Sequence, residues 1–119
     1  MYYAGIGSRE TPQEVLDSFI RIGKYLANEG YTLRSGGAEG ADLAFERGAD
    51  SINGNKEIYL PWKRFGNSES NLVVSDGAAF EIAAKYHPYW NNLKTTSKKL
   101  QARNSHQVLG KDLNTPSHI

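Results

Sequence analysis

Cysteine is absent from this chain of 119 residues, so neither a disulfide framework nor a thiolate metal site can form. The sequence also lacks any apolar run close to the roughly 20 residues that a transmembrane helix needs. Its N-terminus has no signal-peptide pattern, and no internal repeat or low-complexity tract is visible. These absences predict a cytoplasmic protein that makes no use of a membrane.

Acidic residues are missing from one long segment. Between Ile82 and Lys111 the chain has six basic residues but no aspartate or glutamate, although its net charge is only +1. The same segment contains Tyr86, Tyr89 and Trp90. Basic side chains mixed with aromatic ones can hold phosphates and stack on bases. The alternative, which we favour for the segment taken alone, is a solvated basic helix face with the aromatic side chains packed in the core.

The composition is typical of one globular domain. Hydrophobic residues make up 39% of the chain and charged residues 23%, as in ordinary soluble proteins. A chain of this length has enough residues for one core but not for two. We therefore treat residues 1–119 as a single domain.

Strand and helix patterns alternate in the first sixty residues. Thr11 as N-cap and Pro12 at the first helical position indicate a strong helix start. This part of the chain is predicted to form strands at Tyr2–Ile6, Tyr31–Arg34 and Glu57–Leu60, and helices at Pro12–Glu29 and Ala41–Ala49. The alternation predicts an α/β fold in which right-handed crossovers place helices on the faces of a parallel sheet.

The second half of the chain is less regular. Trp62–Asp76 shows little periodicity, and long loops in compact domains are often functional or mobile. We predict helices at Ala78–Lys85 and Leu93–Leu109, and Thr115–Ile119 is typical of the approach to another strand. Three complete strands are fewer than the roughly five or six of a doubly wound sheet. Either the chain is an N-terminal fragment of a larger domain, or another chain completes the sheet in a homo-oligomer.

Two glycine-containing loops predict an anion site. Ser35–Asp42 reads SGGAEGAD and joins the second strand to the second helix, where unpaired backbone N–H groups and the helix dipole favour an anion. Gly7-Ser8-Arg9 follows the first strand, so in a parallel sheet it lies at the same edge. The alternative for Ser35–Asp42 is a tight turn without a ligand.

Each candidate side chain has a predicted role and an alternative. Arg9 can grip a phosphate bidentately, or it can form an ion pair with Glu10 or Asp42. Ser8 and Ser35 can donate hydroxyl hydrogen bonds to a phosphate, or cap a turn. For Asp42 we prefer a structural role at the start of the helix over holding Arg9 or a ribose hydroxyl.

The basic helix offers a further pair of candidates. Arg103 can reach a phosphate and Asn104 a base or a sugar, and a surface pair is the alternative. The three histidines, His87, His106 and His118, are too scattered to predict a metal site. No Ser-His-Asp arrangement is evident either. We therefore assign no catalytic residue, metal or cofactor.

Three motifs together resemble a known family. Ala4–Arg9 (AGIGSR) resembles the "A-x-x-G-S-R" opening of the DprA/Smf-type DNA-processing proteins. Arg34–Asp42, with Phe45–Ala49 after it, resembles their "S-G-x-A-x-G-x-D…G-A" phosphate loop, and Arg103-Asn104 resembles their "R-N" pair. The likeness spans about residues 1–104 and extends to the wider superfamily that includes the LOG-type "lysine decarboxylase-like" proteins.

The resemblance implies a Rossmann-like, three-layer α/β/α domain with a mostly parallel sheet. Such a domain binds nucleotides or the phosphates of single-stranded DNA at the carboxyl ends of its strands. The residues expected to bind phosphate or nucleotide are Gly7, Ser8, Arg9, Ser35, Gly36, Gly37, Ala38, Gly40, Asp42, Arg103 and Asn104. The implied function is that of a DNA-processing protein or recombination mediator without catalysis.

Two other functions remain open from the sequence. The first is a nucleotide phosphoribohydrolase similar to the LOG proteins, which needs a general acid or base at the glycosidic bond. Glu39 and Asp42 are the only acids in the loop that could supply it. The second is a sensor or sponge that captures a small signalling nucleotide.

Overall fold

The computed structural model describes residues 1–75 and 77–119 as four strands and four α-helices. Along the chain these are β1 (Tyr2–Ala4), α1 (Gln13–Asn28), β2 (Thr32–Ser35), α2 (Ala41–Asp50), β3 (Lys56–Leu60), β4 (Leu72–Val73), α3 (Gly77–Tyr86) and α4 (Thr95–Leu109). Short 3-10 helices occupy Phe65–Asn67 and Trp90–Asn92. No helix in the described part of the chain is long and apolar enough to cross a membrane.

The four strands form one sheet in the order β1-β2-β3-β4, and every neighbouring pair is parallel. Its register pairs Tyr3 with Leu33, Ser35 with Ile58, and Tyr59 with Leu72. All carboxyl ends of the strands therefore lie at one edge. The predicted α/β fold with a mostly parallel sheet is confirmed.

The two faces of the sheet are covered by different helices. Tyr3, Leu33 and Ile58 belong to the buried cluster that packs against α1 and α2, where the rings of Phe19 and Phe45 stack with centroids 4.5 Å apart. Alternate residues of a strand point to opposite faces. Accordingly, Arg34, Glu57 and Tyr59 face the other way, and Tyr59 stacks on His106 of α4. The resulting three layers fit a Rossmann-like fold.

The C-terminal residues lie along the free edge of β1. The His118 N–H donates to the Tyr2 carbonyl at 2.8 Å, and the Ala4 N–H donates to the Ile119 carbonyl at 2.9 Å. Arg34 holds this segment from the sheet face through hydrogen bonds to the Thr115 carbonyl and the Ser117 hydroxyl. β2 and β3 thus lie on one side of β1, and the C-terminal residues lie on its other side. The direction in which successive segments join the sheet therefore reverses at β1. In open α/β sheets such a reversal marks the place where ligands bind.

Two local predictions need correction. The N-cap of α1 is Pro12 rather than Thr11, whose hydroxyl instead donates to the Ser8 carbonyl at 2.7 Å. β4 lies inside Trp62–Asp76, which we predicted to lack regular structure; Asp76 itself is outside the described residues. A strand of two residues is too short to show an alternating pattern, so only its pairing with β3 reveals it.

The favoured placement of the aromatic side chains in the basic segment is also wrong. Tyr86 is 75% exposed and Tyr89 is 68% exposed, whereas Trp90 is half-buried. Helix α3 packs against α4 elsewhere, where Ala79 is fully buried and its carbonyl accepts a hydrogen bond from the Ser105 hydroxyl at 3.4 Å. The acid-free segment therefore presents aromatic rings to solvent.

Replacing Tyr3 by phenylalanine is expected to raise the free energy of unfolding by about 1 kcal/mol at neutral pH. The Tyr3 hydroxyl is buried and has no hydrogen-bond partner among the described residues. Burial also raises the pKa of Tyr3 from 10.0 to about 12. The wild-type protein should therefore lose stability as the pH rises from 10 to 12, and Tyr3→Phe should lose less. Urea unfolding across this pH range measures both effects.

The control for this measurement is Tyr25→Phe. Tyr25 is 62% exposed on α1, so its substitution should change stability little at any of these pH values. A Tyr3→Phe protein that is less stable than the wild type at neutral pH would mean that the hydroxyl is hydrogen-bonded in solution.

Candidate functional site

The loop after β1 contacts the start of α2 directly. Gly40 has φ 83°, and a Cβ atom added there would lie 2.8 Å from the Arg9 Cα. The Ala41 N–H donates to the Ser8 carbonyl at 3.1 Å, and the Gly7 N–H donates to Asp42 Oδ1 at 3.3 Å. Glycine is required at position 40 both by the positive φ and by this close approach. The structure thus brings the two predicted loops together at the carboxyl edge of the sheet.

Gly7, Ser8 and Arg9 are the exposed part of this arrangement. The Ser8 hydroxyl accepts a hydrogen bond from the Glu10 N–H at 3.0 Å, which is the turn-capping role considered from the sequence. Within residues 1–75 and 77–119, no ion pair joins Arg9 to Glu10 or Asp42. The Arg9 guanidinium is therefore available to a ligand from solvent.

The middle of the glycine-rich loop is buried. Ser35 is fully buried and its hydroxyl donates to the Gly5 carbonyl, which joins the ends of β1 and β2. Gly36, Gly37 and Ala38 are buried as well, whereas Glu39 is exposed and Gly40 is half-buried. Two elements cover the loop: α4 lies against Gly36, and the turn at Phe65–Asn67 lies against the Gly37 carbonyl.

Asp42 is an internal anion of this loop. Its carboxylate is buried, and burial raises its pKa. The nearby Arg103 guanidinium lowers the pKa, and so do hydrogen bonds with the backbone of Ala38, Gly7 and Gly36. Together these effects are smaller than the effect of burial, so the pKa remains raised. Asp42 thus holds the backbone of both loops, whereas the role that we preferred from the sequence was a cap at the start of the helix. Some of the backbone groups that we predicted to bind phosphate already contact this carboxylate, and their binding role stays a prediction.

Arg103 joins α4 to the ends of two strands. One guanidinium nitrogen donates to the Gly36 carbonyl at 2.6 Å and to the Tyr59 carbonyl at 3.1 Å, and the Nε atom donates to Asn104 Oδ1 at 2.9 Å. The guanidinium also lies 5.5 Å from the centre of the Phe65 ring. Arg103 is only 5% exposed, so the alternative of a surface pair with Asn104 is wrong.

Arg103 interacts electrostatically with Asp42 and with Arg9. Burial lowers the pKa of Arg103, the charge of Asp42 raises it, and the charge of Arg9 lowers it again. The charge of Arg9 thus acts on Arg103, and the exposed Glu39 places a negative charge on the same glycine-rich loop as Asp42.

Gln107 is a site residue that the sequence analysis missed. It is 2% exposed and lies against Gly36 beside the Arg103 guanidinium. Its amide nitrogen has no hydrogen-bond partner among the described residues. Gln107 follows Arg103 by four positions, one helical turn, so the helical spacing alone indicates that both side chains share a face.

His106 is a buried histidine of α4. No group of three potential ligands from His, Cys, Asp and Glu occurs among the residues that the structure describes. His106 is buried, with its Nδ1 atom 2.9 Å from the Gly110 carbonyl, and it stacks on Tyr59 with ring centroids 5.3 Å apart. These contacts give His106 a packing role between α4 and the sheet.

Comparisons with protein-family models, with curated proteins and with solved structures found no match to this chain.

Proposed function

We propose that this protein binds a phosphate-containing ligand, either a nucleotide or single-stranded DNA, at the carboxyl edge of its sheet and without catalysing a reaction. The proposal is carried by the position of Arg9. Its exposed side chain lies on the loop after β1, whose backbone at Arg9 packs against Gly40 at the start of α2, and its charge acts on Arg103. An exposed arginine that forms no ion pair within the described residues is well suited to bind a phosphate group.

We expect the ligand to contact side chains more than the backbone N–H groups of the glycine-rich loop. Ser8, Arg9 and Glu39 are exposed, whereas Gly36, Gly37 and Ala38 are buried. The resemblance of the three motifs to DprA/Smf-type proteins makes single-stranded DNA the first ligand to test, with DNA processing or recombination mediation as the associated role. Binding to DNA should weaken steeply as the salt concentration rises, because bound cations are released from the phosphates.

Arg9→Ala is expected to weaken binding of the ligand by about 10- to 100-fold, since it removes hydrogen bonds between a charged donor and a phosphate. Fluorescence anisotropy with a labelled oligodeoxythymidylate, and calorimetry with nucleoside monophosphates, measure this effect at low and at moderate salt.

The matched control is Arg21→Ala. Arg21 is exposed on α1, where it donates to the Ser18 hydroxyl at 3.1 Å, and it lies on an element outside the proposed site. Equal affinities of the Arg9→Ala and wild-type proteins would contradict the proposal. An affinity for DNA that does not change with salt would exclude DNA as the ligand.

A nucleotide phosphoribohydrolase is the second candidate, and the exposure of Glu39 favours it. Glu39 is the only exposed acid of the Ser35–Asp42 loop, since Asp42 is buried. A carboxylate at a nucleotide site can act as a general base. If the wild-type protein releases free base from nucleoside monophosphates and Glu39→Gln does not, this enzyme replaces the binding protein as the better proposal.

A further inference from the structure

Helix α4 has two sides with different surroundings. Arg103 and Gln107 lie against Gly36 of the sheet. Ser105 is two positions away from both, which is about 200° around the helix. There its hydroxyl donates to the Ala79 carbonyl of α3 at 3.4 Å. Helix α3 therefore packs on the side of α4 that faces away from the sheet and from the proposed phosphate site.

A groove with a volume of about 450 Å³ lies between α3 and α4. Its lining includes Ile82, Ala83, Tyr86, Gln101, Val108 and Leu109. Tyr86 is 75% exposed and Val108 is 51% exposed, so large apolar side chains on both helices face solvent here. Exposed apolar side chains that line a concave surface together are typical of a place where another molecule binds.

A partner in this groove has to satisfy its own backbone. Both walls are α-helices, whose backbone groups bond mostly within each helix. An extended peptide between them would bury N–H and C=O groups without partners. A helical partner avoids this cost, and it can place apolar side chains spaced i, i+3, i+4 and i+7 into a groove. The walls of the groove therefore favour a helix.

Each wall of the groove carries a lysine beside the apolar surface. On α3, the Lys85 ammonium lies 5.5 Å from the centre of the Tyr86 ring. On α4, Lys98 precedes the groove residue Gln101 by three positions, so both side chains lie on one side of the helix. The Lys98 ammonium lies 5.6 Å from the centre of the Trp90 ring. The lysines thus flank the groove from both helices.

Acidic residues do not offset these lysines. The segment from Ile82 to Lys111 contains no aspartate or glutamate. Glu81 lies about 100° around α3 from Ile82, on the side opposite to Ala83, and so points away from the groove. The charge favours an anionic partner. It disfavours two-fold pairing of this groove with the groove of a second copy, because lysines would then face lysines.

We propose that the α3–α4 groove binds an acidic amphipathic helix of a partner protein. The apolar side chains of that helix lie between Tyr86 and Val108, and its carboxylates face Lys85 and Lys98. Apolar contact supplies affinity, and the lysines select the sign of the partner's charge. A nucleic acid would leave the aliphatic walls at Val108 and Leu109 without an apolar partner. The inference concerns a second surface and does not depend on the phosphate site.

The test uses labelled peptides of about 15 residues, a length at which a helix can form on binding. The first peptide has leucines at i, i+3, i+4 and i+7 and glutamates and alanines on its other side. The second has lysine in place of every glutamate, and the third has the residues of the first in scrambled order. In fluorescence anisotropy with the full chain, the first peptide should bind at least about tenfold more tightly than either of the others.

Three variants of the groove sharpen this test. Tyr86→Ala and Val108→Ser should each weaken binding of the acidic peptide by about five- to tenfold, because they truncate the exposed walls. Lys85→Glu should weaken the acidic peptide by a similar factor and tighten the lysine peptide. A merely structural role of Lys85 would not produce this reversal.

The matched controls are Tyr25→Ala and Lys24→Glu, which alter an exposed tyrosine and an exposed lysine of α1. They should leave the affinity for every peptide unchanged. Circular dichroism melts establish that each variant is folded at the assay temperature. Arg9→Ala should also leave peptide binding unchanged, so that a failure of the phosphate site is distinguished from a failure of the groove.

Three results would overturn the inference. The first is an acidic peptide that binds no more tightly than the scrambled one, or whose affinity is the same for Tyr86→Ala and Val108→Ser. The second is an oligodeoxythymidylate that displaces the acidic peptide, since the surface would then bind nucleic acid. The third is a wild-type dimer that Val108→Ser dissociates, which would mean that a second copy covers the groove.

Discussion

Replacing Arg103 by methionine is expected to lower the free energy of unfolding by about 3–5 kcal/mol. The change leaves the Gly36 and Tyr59 carbonyls without their shared donor in a buried place. It also leaves the buried Asp42 carboxylate without its main positive neighbour. Both losses act at the carboxyl ends of β2 and β3, where α4 joins the sheet. Urea unfolding at neutral pH measures the change.

Two further variants make this result specific. Arg103→Lys keeps the charge but not the planar fork of donors, so it should cost less than methionine and still more than about 1 kcal/mol. Arg21→Met alters an exposed arginine of α1 and should change stability by no more than about 0.5 kcal/mol. A loss for Arg103→Met no larger than that of the Arg21→Met control would mean that this guanidinium does not hold the strand ends.

Replacing Gly48 by alanine is expected to lower the free energy of unfolding by about 3 kcal/mol, the upper part of the range for overpacking. A Cβ atom at this position would overlap the Ile20 carbonyl oxygen and lie 2.7 Å from the Lys24 backbone nitrogen, both on α1. Helices α1 and α2 would have to separate, and both cover the core cluster of Leu33 and Phe45. Thermal or urea unfolding measures the loss.

The control for this change is Gly77→Ala at the start of α3. A Cβ atom at Gly77 has open space within 4 Å, so the higher helix propensity of alanine should make this variant equally stable or up to about 1 kcal/mol more stable. The same propensity gain applies to Gly48→Ala. A stabilised Gly48→Ala protein would therefore contradict the close packing of α1 on α2.

The regular elements were predictable because their signals are local. The alternation of strand and helix patterns over residues 1–60 gave β1 to β3 and the two intervening helices within a few residues of their observed ends. β4 was not predictable, since two residues carry no period and the strand depends on pairing with β3. Thr11 had a good N-cap signal, but its hydroxyl donates to the Ser8 carbonyl three residues earlier in the same loop. Such local side-chain hydrogen bonds compete with capping, and the N-cap pattern alone does not distinguish the two.

The candidate site was predictable in position but not in exposure. Parallel strands place their following loops at one edge, so Gly7–Arg9 and Ser35–Asp42 had to be neighbours in such a sheet. The sequence does not show that α4 covers Gly36 or that the Phe65–Asn67 turn covers Gly37. A glycine-rich pattern is the same whether its backbone faces solvent or another helix. Burial depends on segments far away in the chain.

Local sequence patterns were enough to predict the α/β class, the parallel sheet and the edge at which the two glycine-containing loops meet, because hydrophobic period, turn residues and chain order act over short distances. The burial of Arg103 between two strand ends and the exposure of Arg9 follow from tertiary packing and could not be predicted. The same holds for Tyr86 and Tyr89, which face solvent rather than the core. A side chain's exposure depends on which distant elements pack over it, and no local pattern encodes that packing.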